Sequence, residues 1–148
     1  MVGIRHCGIY VHNIDELTKF YKNVFNMSPI VEKLCDSGKC IDALIGVPGA
    51  RIWITKLITE KGKMIGDGDM IELVQIDYPR ERVSDSIRRI SDTGSVHIAF
   101  ECNIQETVRR IEENSGRVIV SPMIRDNGNI LCFCEDPEGN FLELIERK

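Results

Sequence analysis

The feature that most constrains this chain is an internal repeat. His6-Cys7-Gly8-Ile9-Tyr10-Val11 runs into Asn13-Ile14-Asp15-Glu16, and His97-Ile98-Ala99-Phe100-Glu101-Cys102 runs into Asn103-Ile104-Gln105-Glu106. The halves also end alike, with Ile71-Glu72-Leu73-Val74 against Leu142-Glu143-Leu144-Ile145. A repeated unit folds as one supersecondary module per copy. Each copy here carries an imidazole near its start and a carboxylate near its end, which is the plan of a two-fold metal site.

Within each copy the apolar pattern predicts a strand, a helix and then strands. Gly3 to Val11 reads as a strand, and Leu17, Phe20, Tyr21, Val24 and Phe25 recur at helical spacing behind the capping residues Asn13 or Asp15. Pro29 opens a second strand and Asp36-Ser37-Gly38 turns the chain. Ile41 to Ile45 is a short apolar element, and strands are expected at Arg51 to Thr55 and Met70 to Ile76. The glycines at 62, 66 and 68, interleaved with Lys61, Lys63, Asp67 and Asp69, predict a mobile loop without phosphate-loop spacing.

Tyr78 to Thr93 is expected to link the modules, with helix over part of residues 83–90. The second copy then repeats a strand at Ser95 to Cys102, a helix at Ile104 to Asn114 stopped by Gly116, and three more strands. The expected organisation is a single domain over residues 1–148: module 1 over about 1–78, a linker over about 79–93 and module 2 over about 94–148. The fold class is α+β, with strand–helix–three strands in each module.

Strand parity orients the candidate ligands, because residues two apart share a face. Cys7, Ile9 and Val11 belong under the helix, leaving His6, Gly8, Tyr10 and His12 opposite. Ile98, Phe100 and Cys102 likewise leave His97, Ala99 and Glu101 on the other face. Glu72 falls among Met70 and Val74, and Glu143 among Phe141 and Ile145. A carboxylate among such neighbours needs a partner, since burying an unpaired charge is costly. The expected metal ligands are therefore His6, Glu72, His97 and Glu143, with Tyr10 and Glu101 as substrate contacts. At about 3.3 Å per residue, His12 is too far along its strand to share the same ion.

Net charge is −4 at pH 7 and its signs are interspersed, so no basic stripe suits nucleic acid or an anionic membrane. No run approaches the ~18 apolar residues of a membrane span, and the chain enters strand-like sequence without a signal peptide pattern. These features predict a cytoplasmic protein whose six cysteines are reduced.

The segments around His6, Phe20-Tyr21-Lys22-Asn23-Val24, Gly46-Val47-Pro48-Gly49-Ala50, Val96-His97-Ile98-Ala99-Phe100-Glu101 and Asp136-Pro137-Glu138-Gly139-Asn140-Phe141-Leu142-Glu143-Leu144 resemble the vicinal oxygen chelate superfamily across the chain. Its members include lactoylglutathione lyases, methylmalonyl-coenzyme A epimerases, extradiol dioxygenases, and fosfomycin and bleomycin resistance proteins. The resemblance implies paired βαβββ modules whose sheets curl around a metal-binding cleft, with ligands from the first and last strands of each. It implies one divalent ion (zinc, nickel, cobalt, manganese or iron), a small-molecule substrate and a homodimer.

The expected activity is that of a glyoxalase-type lyase or isomerase. The metal stabilises an enolate of an oxygen-chelating substrate, and Glu72 or Glu143 serves as base. An extradiol-type Fe(II) dioxygenase and a ligand-sequestering resistance protein are the alternatives. Tyr10 stands where lactoylglutathione lyases carry an arginine for glutathione. Lys56, Lys61 and Lys63 are the candidate contacts for a phosphorylated nucleotide tail, should the substrate be an acyl-coenzyme A.

Overall fold

The computed structural model describes residues 2–66, 68–77 and 89–148. They form two compact units, Met1–Val83 and Ser84–Lys148. Each contains one four-stranded sheet in which the first and last strands run side by side and parallel.

In the first unit the elements are β1 (Cys7–Val11), α1 (Ile14–Phe25), β2 (Ser28–Ser37), α2 (Lys39–Ile45), β3 (Arg51–Ile58), α3 (Glu60–Ile65) and β4 (Met70–Ile76), with sheet order β1-β4-β3-β2. The second unit has β5 (His97–Glu101), α4 (Ile104–Glu113), β6 (Arg117–Ile124), β7 (Ile130–Glu135) and β8 (Phe141–Glu146), ordered β5-β8-β7-β6. The α+β fold with a βαβββ framework in each module is thus as the sequence predicts. The expected helix within residues 83–90 lies, apart from Arg89 and Ile90, outside the described residues.

The two helices that follow the first strands start by the same device. Asn13 Oδ1 accepts from the Glu16 backbone N–H, and Asn103 Oδ1 from that of Glu106. Each cap satisfies one of the donors that a helix start leaves open. A last-strand side chain satisfies another, since Gln75 accepts from Ile14 N–H and Glu146 from Ile104 N–H. The repeat is therefore kept in its hydrogen bonds as well as its outline.

Alternation then builds the cores. In the first unit Leu17, Phe20, Tyr21 and Val24 of α1 are buried together with Val11, Leu57, Ile71 and Leu73. In the second, Ile104 and Ile111 of α4 are buried with Cys132, Cys134, Leu142 and Leu144. Fully burying each large apolar side chain stabilises the fold by roughly 1.5–3 kcal/mol.

Two additions in the first unit depart from the sequence expectation. The apolar element at 41–45 is part of α2, whose Ile41 packs with Ala50, Ile52 and Val74. The expected mobile loop contains α3, capped by Thr59 Oγ1 accepting from Gly62 N–H. Glycine spacing suggested a loop, but Gly62 has a packing reason. A Cβ there would lie 2.8 Å from Ile58 Cγ1 and 3.0 Å from the Gly68 carbonyl. Trp53 pairs with Gln75 and Cys35, so it stands on the face opposite Glu72.

Candidate metal centre

Register places the candidate ligands of each unit on one sheet face. Gly8 pairs with Glu72 and Lys56 pairs with Glu72 from the other side. In the second unit Ala99 and Phe133 flank Glu143 in the same way. His6 and His97 each sit two residues before the glycine or alanine beside the glutamate, which gives them the glutamate's parity.

The side chains meet accordingly. His6 Nε2 lies 3.7 Å from Glu72 Oε1, and His97 Nε2 lies 3.0 Å from Glu143 Oε2. Both glutamates are largely covered, with side-chain exposures of 17% and 16%. In both modules a covered carboxylate thus lies close to the imidazole Nε2.

The surroundings of the two pairs differ. Lys56 Nζ lies 2.8 Å from Glu72 Oε2, so one carboxylate oxygen meets an ammonium while the other faces His6. The equivalent of Lys56 is Phe133, whose ring stands edge-on to His97 with centroids 5.6 Å apart. Sequence reasoning offered Lys56 for a nucleotide tail and gave Phe133 no role. Lys63, offered with it, meets Ser28 Oγ. The signal for Lys56 was parity, but reading it required the β3–β4 register, which the intervening α3 hides.

Tyr10 is half-exposed on the face of His6 and pairs across the ladder with Val74. Glu101 is exposed at the end of β5, with its Oε2 3.3 Å from Arg147 Nη2. The remaining titratable groups of note are thiols on the helix side of the second sheet. Burial raises the Cys102, Cys132 and Cys134 thiols above their ordinary range, and Cys132 Sγ and Cys134 Sγ are 3.7 Å apart.

The pairs fit a metal's requirements. Two ligands each about 2.1 Å from one ion lie roughly 3.0–3.4 Å apart at octahedral or tetrahedral angles. The His97–Glu143 separation matches, and His6–Glu72 is close to it. Among the described residues of either unit, no third His, Cys, Asp or Glu completes a ligand cluster. Each unit thus offers half of a usual ligand set.

Solved structures share this architecture. A glyoxalase family protein from Bacillus cereus superposes with a TM-score of 0.85 at 18% identity, over 99% of this chain and 94% of that one. A glyoxalase/bleomycin resistance protein/dioxygenase domain from Frankia gives 0.68 at 12% identity, over 100% and 93%. A fosfomycin resistance protein from Listeria monocytogenes, complexed with Mn(II) and sulfate, gives 0.57 at 17% identity, over 100% and 94%. At these identities the likeness is one of fold. No protein of curated function matches the chain by sequence. The model of the glyoxalase/bleomycin resistance protein/dioxygenase superfamily matches residues 3–144, nearly the whole repeat, and the chain belongs to that superfamily.

Proposed function

We propose that this protein is a divalent-metal-dependent lyase or isomerase of the glyoxalase type, in which His6, Glu72, His97 and Glu143 hold one ion. The observation that carries this reading is the duplicated His–Glu pair, on the same strands and the same face in both modules. One pair alone supplies too few ligands for a usual site, which has three or four. The two half-sites therefore combine, either within a chain or between the chains of a homodimer. A superfamily relative holding Mn(II) supports a divalent ion, and a mixed nitrogen and oxygen donor set suits zinc, nickel, cobalt, manganese or ferrous iron.

When bound, the ion acts as a Lewis acid toward adjacent substrate oxygens and makes the neighbouring C–H more acidic. The chain supplies the rest. A carboxylate oxygen of Glu72 or Glu143 accepts the proton from that carbon and returns it to the same or the neighbouring position. The two histidines keep the donor set neutral apart from the glutamates. Tyr10 and Glu101, on the ligand faces of β1 and β5, are the substrate contacts in this reading. A full set of four protein ligands leaves little room for both oxygen and a catechol, which favours proton transfer over extradiol cleavage.

The test is metal binding and turnover by metal-stripped, reloaded protein. His6→Ala and His97→Ala should each abolish tight Mn(II) binding. Glu72→Gln and Glu143→Gln should retain the ion, and the variant lacking the base should lose turnover by on the order of 10²-fold or more. Wild-type affinity for Mn(II) in either histidine variant would overturn the shared site. Oxygen consumption on catechols with ferrous iron would overturn the proton-transfer chemistry.

A further inference from the structure

We infer that Lys56 is a positioning residue that confines Glu72 to one metal-facing oxygen, and so keeps a coordination position open for a chelating ligand. The inference rests on the metal-site reading above.

The two oxygens of Glu72 face different partners. Oε1 is 3.7 Å from His6 Nε2, whereas Oε2 is 2.8 Å from the Lys56 ammonium. An ion held by the His6 imidazole therefore meets Oε1, and the Lys56 contact stays in place. Strand pairing sets this division, because Lys56 lies directly opposite Glu72 on the β3–β4 ladder. The other neighbours on that face are apolar. Ile54 and Ile58 lie two residues to either side on β3, and Met70 and Val74 are the diagonal neighbours on β4. Ile58, Met70 and Val74 are buried. Lys56 and Glu72 are themselves 33% and 17% exposed at the side chain. A charge-assisted hydrogen bond between groups this covered is strong, and breaking it strands a partly desolvated charge.

Carboxylates bind divalent ions through one oxygen or through both. The second mode takes an additional position around the ion. Mn(II) favours an octahedral sphere, so four single-atom protein ligands leave a pair of positions, which a substrate with adjacent oxygens requires. Each position lost to a two-oxygen glutamate removes part of that pair. With Oε2 held by Lys56, Glu72 closes on the ion with both oxygens only by giving up its hydrogen bond. Phe133, at the matching position beside Glu143, has no N–H to offer a carboxylate, so this restraint belongs to the Glu72 half-site.

Full-length protein loaded with Mn(II) tests this without an identified substrate. Exchangeable waters on the ion are counted from the broadening of its electron paramagnetic resonance lines in water enriched in a magnetic oxygen isotope. Acetohydroxamate serves as the two-oxygen chelator. Lys56→Met should bind Mn(II) as tightly as wild type or more tightly, lose one exchangeable water, and bind acetohydroxamate about tenfold more weakly. Lys56→Arg, whose guanidinium still reaches Oε2, should keep the wild-type water count and chelator affinity. Lys22→Met, which removes a lysine paired with Glu32 elsewhere, should keep both as well. A role in charge balance alone would shift Mn(II) affinity and leave the water count of Lys56→Met unchanged, which overturns the inference. So does loss of Mn(II) binding by folded Lys56→Met. Should that variant fail to fold, the wild type decides through its carboxylate infrared bands on Mn(II) loading, assigned to Glu72 by their loss in Glu72→Gln. A one-oxygen signature is expected there, and a two-oxygen signature overturns the inference. Failure of the wild type to bind Mn(II) overturns the metal site itself, and this inference with it.

Discussion

The two glutamate half-sites occupy the same slot in the same fold, yet one is built around charge and the other around an aromatic ring. Glu72 lies between His6 and Lys56, whereas Glu143 lies close to His97, whose ring meets Phe133 edge-on. What both copies keep is the imidazole, the carboxylate, the asparagine caps and the last-strand acceptors Gln75 and Glu146. What differs is the third residue on that face and the extra cover, because among the described residues only the first unit adds helices such as α2 and α3. Duplication thus preserves the groups that build the module and its ligand pair, and leaves the position beside each glutamate free to diverge.

The cores keep equivalent positions, and they offer the largest effect with which to break the comparison. Leu73 and Leu144 follow the two glutamates, and both are fully buried. Leu73→Ala and Leu144→Ala should each cost about 2–5 kcal/mol, measured by denaturant unfolding. A loss well under 1 kcal/mol in one variant would show that the modules are not packed equivalently.

A smaller effect sharpens the same comparison at the helix starts. Asn13→Ala and Asn103→Ala each remove a cap acceptor and should destabilise by about 1 kcal/mol. Asn13→Asp and Asn103→Asp should restore most of it, because a carboxylate also caps and suits the helix N-terminus. Equal losses from the two alanine variants would support a common device, and a negligible loss at one would mean that Gln75 or Glu146 suffices there.

The smallest effect at neutral pH separates the cores by titration. Burial raises the Cys102, Cys132 and Cys134 thiols above the ordinary value of 9.0. In the unfolded chain these thiols ionise first, so the stability they contribute is present below about pH 9 and falls as pH rises toward the folded-state values. Unfolding followed between pH 8 and about 10.5 should show a decline that Cys132→Ala/Cys134→Ala reduces. An undiminished decline in that double variant would assign it to other groups.

Much of the fold was legible because its signals are local. The period-two alternation of His6 to Val11, the helical spacing of Leu17 to Phe25, and the Asp136-to-Asn140 turn need only neighbouring residues to be read. In that turn Asp136 accepts from the backbone N–H groups of Glu138 and Asn140. The opposite signals were misleading where a tertiary contact overrode them. The glycines at 62 and 66 look like loop formers, yet Gly62 is required by the closeness of Ile58 and Gly66 closes α3 at positive φ.

The sequence by itself determined the duplication, the α+β class and the four ligand candidates, because a repeat with fixed strand parity assigns equivalent residues to equivalent faces. Tertiary structure alone decided what stands beside each glutamate. Strand register depends on how the chain between two strands is folded, and a shift of one residue would turn Lys56 to the opposite face. The residues between Lys56 and Glu72 contain α3, whose length and packing no periodicity discloses. The ammonium on Glu72 and the ring on His97 therefore became visible only once both ladders were in place.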